Sequence, residues 1–190
     1  MDAEALGPAS QSGWPQRIAM SKDYDMLQGL VSIGVGLALI VLALTENLIW
    51  LAVGCGISAA VGVSWYQKRY GTAHATDARN VWAAAFATLG FVAVSIASSI
   101  DHSRPGPLLW TPLVAGAMLL AGEWAGLRHA GLTIWHWLSC LALMLCTFLP
   151  LTGWHPPRFQ TIGLIGPALI VIGIVDHLRL VKTLGNGGER

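Results

Sequence analysis

The chain has 190 residues, 54% hydrophobic and 11% charged, with a formal net charge of +1 and a mean hydropathy of +0.59. Soluble domains carry about 25% charged residues, and a water-soluble protein of this size cannot cover its surface with so few. The composition therefore excludes an ordinary soluble domain, and the near-zero net charge gives no support to nucleic acid as a partner.

Residues 1–25 are polar and rich in Gly, Pro and Ser. They lack the apolar centre of a secretory signal and are expected to form a disordered cytoplasmic tail, within which Met20 offers a second start. The first apolar segment, 26–44, carries no charge and is long enough to cross a hydrocarbon core of about 30 Å. The short turn 45–47 makes the second segment, 48–66, antiparallel to it. Gly54, Ser58 and Gly62 recur there every fourth residue. In lipid, helices associate through such small residues, so this stripe is the expected packing face. The run Gly54-Cys-Gly-Ile-Ser-Ala59 formally matches a dinucleotide fingerprint, but it lies inside an apolar helix with no preceding strand, so no nucleotide is expected.

A polar loop, 67–80, leads to a third segment at 81–100, with Thr76 or Asp77 as its cap. The loop Asp101-His-Ser-Arg-Pro-Gly-Pro107 ends it. The fourth segment, 108–127, has Pro112 in its first turns and the pair Gly122 and Gly126 around Glu123. The fifth, 134–151, opens with Trp135-His136-Trp137 and closes at Pro150; the sixth lies in 161–185. The expected fold is an all-α membrane protein of six transmembrane helices in three antiparallel hairpins. One domain would span 26–184, with a short C-terminal tail at 185–190.

The three hairpins share an ending. Lys68-Arg-Tyr-Gly71, Arg128-His-Ala-Gly131 and Lys182-Thr-Leu-Gly185 each place a base three residues before a glycine. Cations suit a helix C-terminus, and the glycine suits a left-handed cap. With six spans, nine cations (Arg17, Lys22, Lys68, Arg69, Arg79, Arg128, Arg179, Lys182 and Arg190) fall on the side of the termini and two, Arg104 and Arg158, on the other. The positive-inside rule then puts both termini in the cytoplasm, as in a multi-pass bacterial-type inner-membrane protein. Trp50, Trp110 and Trp154 mark the outer ends, and Trp65, Trp82, Trp124, Trp135 and Trp137 the inner ones.

Candidate chemistry is sparse. Glu123 and Asp176 are the acids read as lying inside or beside an apolar helix, where a charge is costly enough to suggest function. Both sit about a turn from an arginine, Arg128 or Arg179, so a partly hydrated ion pair is the competing expectation. Six histidines lack His-x-x-x-His spacing, so no metal or other cofactor is expected; a cluster of His129, His136 and His177 with Glu123 would need tertiary proximity. Asp176 and His177 are adjacent and diverge by about 100° on a helix, so they cannot act as one unit. Cys55, Cys140 and Cys146 lie in apolar runs and read as packing residues. No P-loop, His-Glu-x-x-His or Gly-x-Ser-x-Gly occurs, and no catalytic residue is assigned. The leading expectation is a non-enzymatic accessory, scaffold or sensor subunit. It would meet a membrane-protein partner or a second copy through the small-residue faces Gly54–Ser58–Gly62 and Gly122–Gly126. The alternative is a small transporter or channel using Glu123 and Asp176 at an inner vestibule.

Overall fold

The structure, a computed structural model, describes residue 24 and residues 27–70 and 77–184. It is all-helical, with no strand among the described residues. The helices are α1 (Gly29–Thr45), α2 (Leu48–Tyr70), α3 (Asp77–Ser103), α4 (Trp110–Gly126), α5 (Ile134–Leu145), α6 (Arg158–Gly163) and α7 (Ile165–Leu184). A 3-10 segment, Cys146–Thr152, extends α5. Among the described residues four stretches are long and apolar enough to cross a membrane: Leu48–Tyr70, Ala85–Ser103, Ile134–Thr152 and Arg158–Thr183; α1 is a shorter apolar helix. The expectations for the two tails, for Arg79, Trp82 and the caps Thr76 and Asp77, and for the glycines Gly71 and Gly185 fall outside the described residues and side chains.

Helix α1 is the centre of the packing, with α2 on one side and α7 on the other. The bundle continues from α7 to α5, α4 and α3, and α6 wedges against α1 and α3. The α1–α7 seam is antiparallel and built on glycine. A Cβ added to Gly173 would lie 2.5 Å from the Gly29 carbonyl oxygen, and one on Gly166 would lie 2.6 Å from that of Gly36. One step further on, Gly163 faces Ala43. The pairs Gly29/Gly173 and Gly36/Gly166 are seven residues apart on both helices, two turns, so they fall on one line along the contact. Gly54, Ser58 and Gly62 of α2 face Ala38, Gly34 and Val31 of α1. Gly122 of α4 faces Phe86 of α3, 3.2 Å from where its Cβ would stand, and Gly126 is the last residue of α4.

Several boundaries differ from the sequence reading for identifiable reasons. Helix α3 runs through Asp101 to Ser103, so Asp101 is helical rather than part of the loop. Its carboxylate caps the next helix: Oδ1 accepts from the Trp110 N–H at 2.7 Å, and Oδ2 from the Thr111 N–H and Oγ1 at 2.8 and 2.7 Å. Those donors would otherwise be orphans of the first turn of α4, whose N-cap residue, Leu109, has no side-chain oxygen. The last apolar stretch is two helices rather than one. Pro167 has no N–H for the Gly163 carbonyl and would clash with it, and the helix breaks at Leu164. Pro150 likewise sits in the 3-10 segment that ends α5, before Gly153 at φ 86°. Gly131 is left-handed at φ 71°, but it closes a separate turn onto the Leu127 carbonyl (2.8 Å) after α4 has ended at Gly126.

Candidate functional site

The antiparallel pairings bring the starts of α1 and α5 and the ends of α2, α4 and α7 to one end of the bundle. Lys68 and Arg69 lie in the last turn of α2 and Lys182 in that of α7. Two polar clusters occupy this end, one on each side of α7.

In the first cluster His136 and Asp176 are buried and Glu123 is half-buried. Glu123 from α4, His136 from α5 and Asp176 from α7 place one ligand-type atom each within 4.8 Å of one another. His136 is 0% exposed and Asp176 1%. His136 Nε2 stands 3.1 Å from Asp176 Oδ1. The imidazole is fixed from its other edge by the start of its own helix. Thr133 is the N-cap and His136 occupies the third helical position, each bonding the other in a capping box. The Thr133 backbone N–H donates to His136 Nδ1 at 3.2 Å, and Thr133 Oγ1 lies 2.7 Å from the same nitrogen. An Nδ1 that accepts leaves the proton on Nε2, which therefore donates to Asp176. Glu123 Oε2 is buried with no hydrogen-bond partner.

Arg179 closes the rim of this cluster. One guanidinium nitrogen donates to the Ala130 carbonyl at 2.7 Å, and the other lies 3.8 Å from Asp176 Oδ1. The expected Asp176–Arg179 ion pair is present at 3.8 Å, with Arg179 part-exposed, but Asp176 itself is buried and its shorter contact is to His136.

The second cluster is aromatic. Tyr66, fully buried, accepts from the Leu30 N–H at 3.2 Å and bonds His177 Nδ1 at 2.7 Å. Trp65 packs edge-on against it, Tyr70 stacks on it, and the Arg69 guanidinium stands 5.7 Å over the Trp65 ring. Asp176 and His177 therefore point into different clusters, as their helical spacing requires. Of the histidines singled out in the sequence, His136 alone joins the buried acids, with Asp176 in the place expected for His129 and His177.

His136 carried a signal in the sequence. Trp135 and Trp137, 55% and 51% exposed, flank it at about 100° on either side, which turns the residue between them inward. The seven-residue glycine spacing shared by the first and last spans was the other unread signal.

The three cysteines are free, Cys140 buried and Cys55 and Cys146 half-buried. An open groove of about 380 Å³ on the outer face of α3, between Phe91 and Ser103, includes none of the cluster residues. The fold and its apolar helices fit an all-helical membrane protein. No protein-family model, curated protein or solved structure matches the chain.

Proposed function

We propose that the chain is a six-span membrane protein, with both termini cytoplasmic, that handles a cation at the inner end of its bundle. The convergence of Glu123, His136 and Asp176 from three helices carries this reading. Acids in membrane helices mark ion or proton pathways because burying them without a task is costly. Two carboxylates against one guanidinium also leave a place for positive charge. Placement in an inner membrane rests on the nine-to-two cation bias and not on the fold.

The test is flux in proteoliposomes loaded with a proton-sensitive or metal-sensitive dye. The native chain is expected to move protons or a cation at a rate that Glu123→Gln and Asp176→Asn both reduce at least tenfold. Flux equal to that of empty vesicles for every cation tried would contradict the reading. Labelling of cysteines placed at Glu46 and His155 checks the orientation; both are expected on the outer side.

A second reading, an accessory or scaffold subunit, is favoured by α2, whose apolar stretch is only 6% buried and leaves most of its surface to lipid or to another protein. Its small-residue stripe does not supply that surface, since Gly54, Ser58 and Gly62 face α1 of the same chain. Crosslinking from α2 in native membranes separates the two readings: a stoichiometric partner would favour the subunit, and its absence the cation site.

A further inference from the structure

We propose that Glu123, His136 and Asp176 bind one divalent first-row transition-metal ion. The inference deepens the cation reading above and rests on it. One imidazole nitrogen with two carboxylate oxygens is a donor set for ions such as Mn²⁺, Fe²⁺, Co²⁺ or Zn²⁺; the nitrogen argues against Mg²⁺ and Ca²⁺, which prefer oxygen alone.

The geometry is close to assembled. Donors held about 2.0–2.2 Å from a metal stand roughly 3–4 Å apart, and here the widest separation is within 4.8 Å. Rotation of a carboxyl group closes the difference. The unpartnered, buried Glu123 Oε2 is an independent sign, because a buried acceptor is normally satisfied. Charge agrees as well. Two carboxylates, a neutral imidazole and a dication sum to zero within the donor set, and the positive charge of Arg179, 3.8 Å from Asp176 Oδ1, lies at the part-exposed rim. Arg179 is 18% exposed and tied to the Ala130 carbonyl.

Binding requires a change of tautomer at His136. The proton that Nε2 shares with Asp176 leaves, the Nε2 lone pair goes to the metal, and Nδ1 gains a proton from solvent. Nδ1–H then donates to Thr133 Oγ1, 2.7 Å away, and the Thr133 backbone N–H, which donates to Nδ1 in the metal-free site, gives up that acceptor. The imidazole stays neutral and no net proton is lost. Thr133 thereby becomes a positioning residue that holds the ligand ring by its far nitrogen, as outer-sphere partners of metal-bound histidines do.

The experiment is titration of the untagged, full-length chain in mild detergent with Co²⁺, followed by its visible absorption and by metal analysis after desalting. One equivalent is expected. His136→Ala, Glu123→Gln and Asp176→Asn should each weaken binding at least tenfold, Thr133→Val several-fold, and the exposed loop variant His155→Ala not at all. Elution volume and melting temperature show which variants remain folded, and Glu123→Gln, which removes no hydrogen bond from Oε2, is the variant expected to fold normally. Absence of saturable Co²⁺ binding to the native chain would overturn the proposal, as would full binding by both folded Glu123→Gln and His136→Ala. Failure here alongside Glu123-dependent proton flux would remove the metal and leave the cation reading standing. Co²⁺ bound at the three residues without any flux would support the metal and remove transport.

Discussion

His136 and Asp176, forty residues apart in the chain, meet with Nε2 3.1 Å from Oδ1, whereas Arg179, one turn from Asp176 on the same helix, stays 3.8 Å away. Tertiary packing has won over sequence proximity. The reason is burial: the histidine is fully enclosed and held by Thr133, while the guanidinium is tied to Ala130 at the rim. A double-mutant cycle in detergent unfolding should therefore give a coupling of about 1–3 kcal/mol for His136 with Asp176, and less than about 0.5 kcal/mol for Asp176 with Arg179. The reverse order would mean that the i,i+3 pair is the real partner.

Asp101 should behave as a cap rather than a loop residue. Asp101→Ala removes three hydrogen bonds to Trp110 and Thr111 at the start of α4. A cost of about 1–2 kcal/mol is expected, and Asp101→Asn should recover part of it through one oxygen. Thermal unfolding of the two variants measures both.

The glycine seam gives a contrast within one residue type. Gly166→Val pushes a side chain into the Gly36 carbonyl and Ile40, and backbone cannot yield as a flexible side-chain tip can. Destabilisation of about 3 kcal/mol or loss of the folded protein is expected. Gly56→Ala meets nothing within 4 Å and should be neutral or stabilising by up to about 1 kcal/mol through helix propensity. Yield and melting temperature of the two variants settle the comparison.

Tyr66→Phe keeps the ring in its aromatic cluster and deletes only the hydroxyl between Leu30 and His177. Interhelical hydrogen bonds in membrane proteins contribute about 0.6–1.7 kcal/mol, so a modest loss of that size is expected. Metal or proton handling at Glu123 should not change, because His177 and Asp176 face different clusters.

What the sequence made legible followed from local rules. Apolar runs and polar turns located the helices, and the positions of Glu123 and Asp176 marked them as candidates. His136 was named beside Glu123, but its pairing with Asp176 was hidden because the two lie on different helices. No spacing within α5 announces Asp176, and only the inward turn between Trp135 and Trp137 hinted at it. Asp101 was missed for a different reason: the prolines at 105 and 107 suggested an early break, yet a helix can run to Ser103 when its last acid caps the next one. The break at Leu164 was readable from Pro167, and the α1–α7 seam from glycines repeating every seven residues, but both required pairing distant segments.

The most direct measurement is zinc-edge X-ray absorption on the detergent-solubilised chain loaded with one equivalent of Zn²⁺. The account predicts one imidazole nitrogen and carboxylate oxygens at about 2.0–2.2 Å, with the imidazole signature lost in His136→Ala. A sulfur shell from a cysteine, or a spectrum unchanged in His136→Ala, would contradict it.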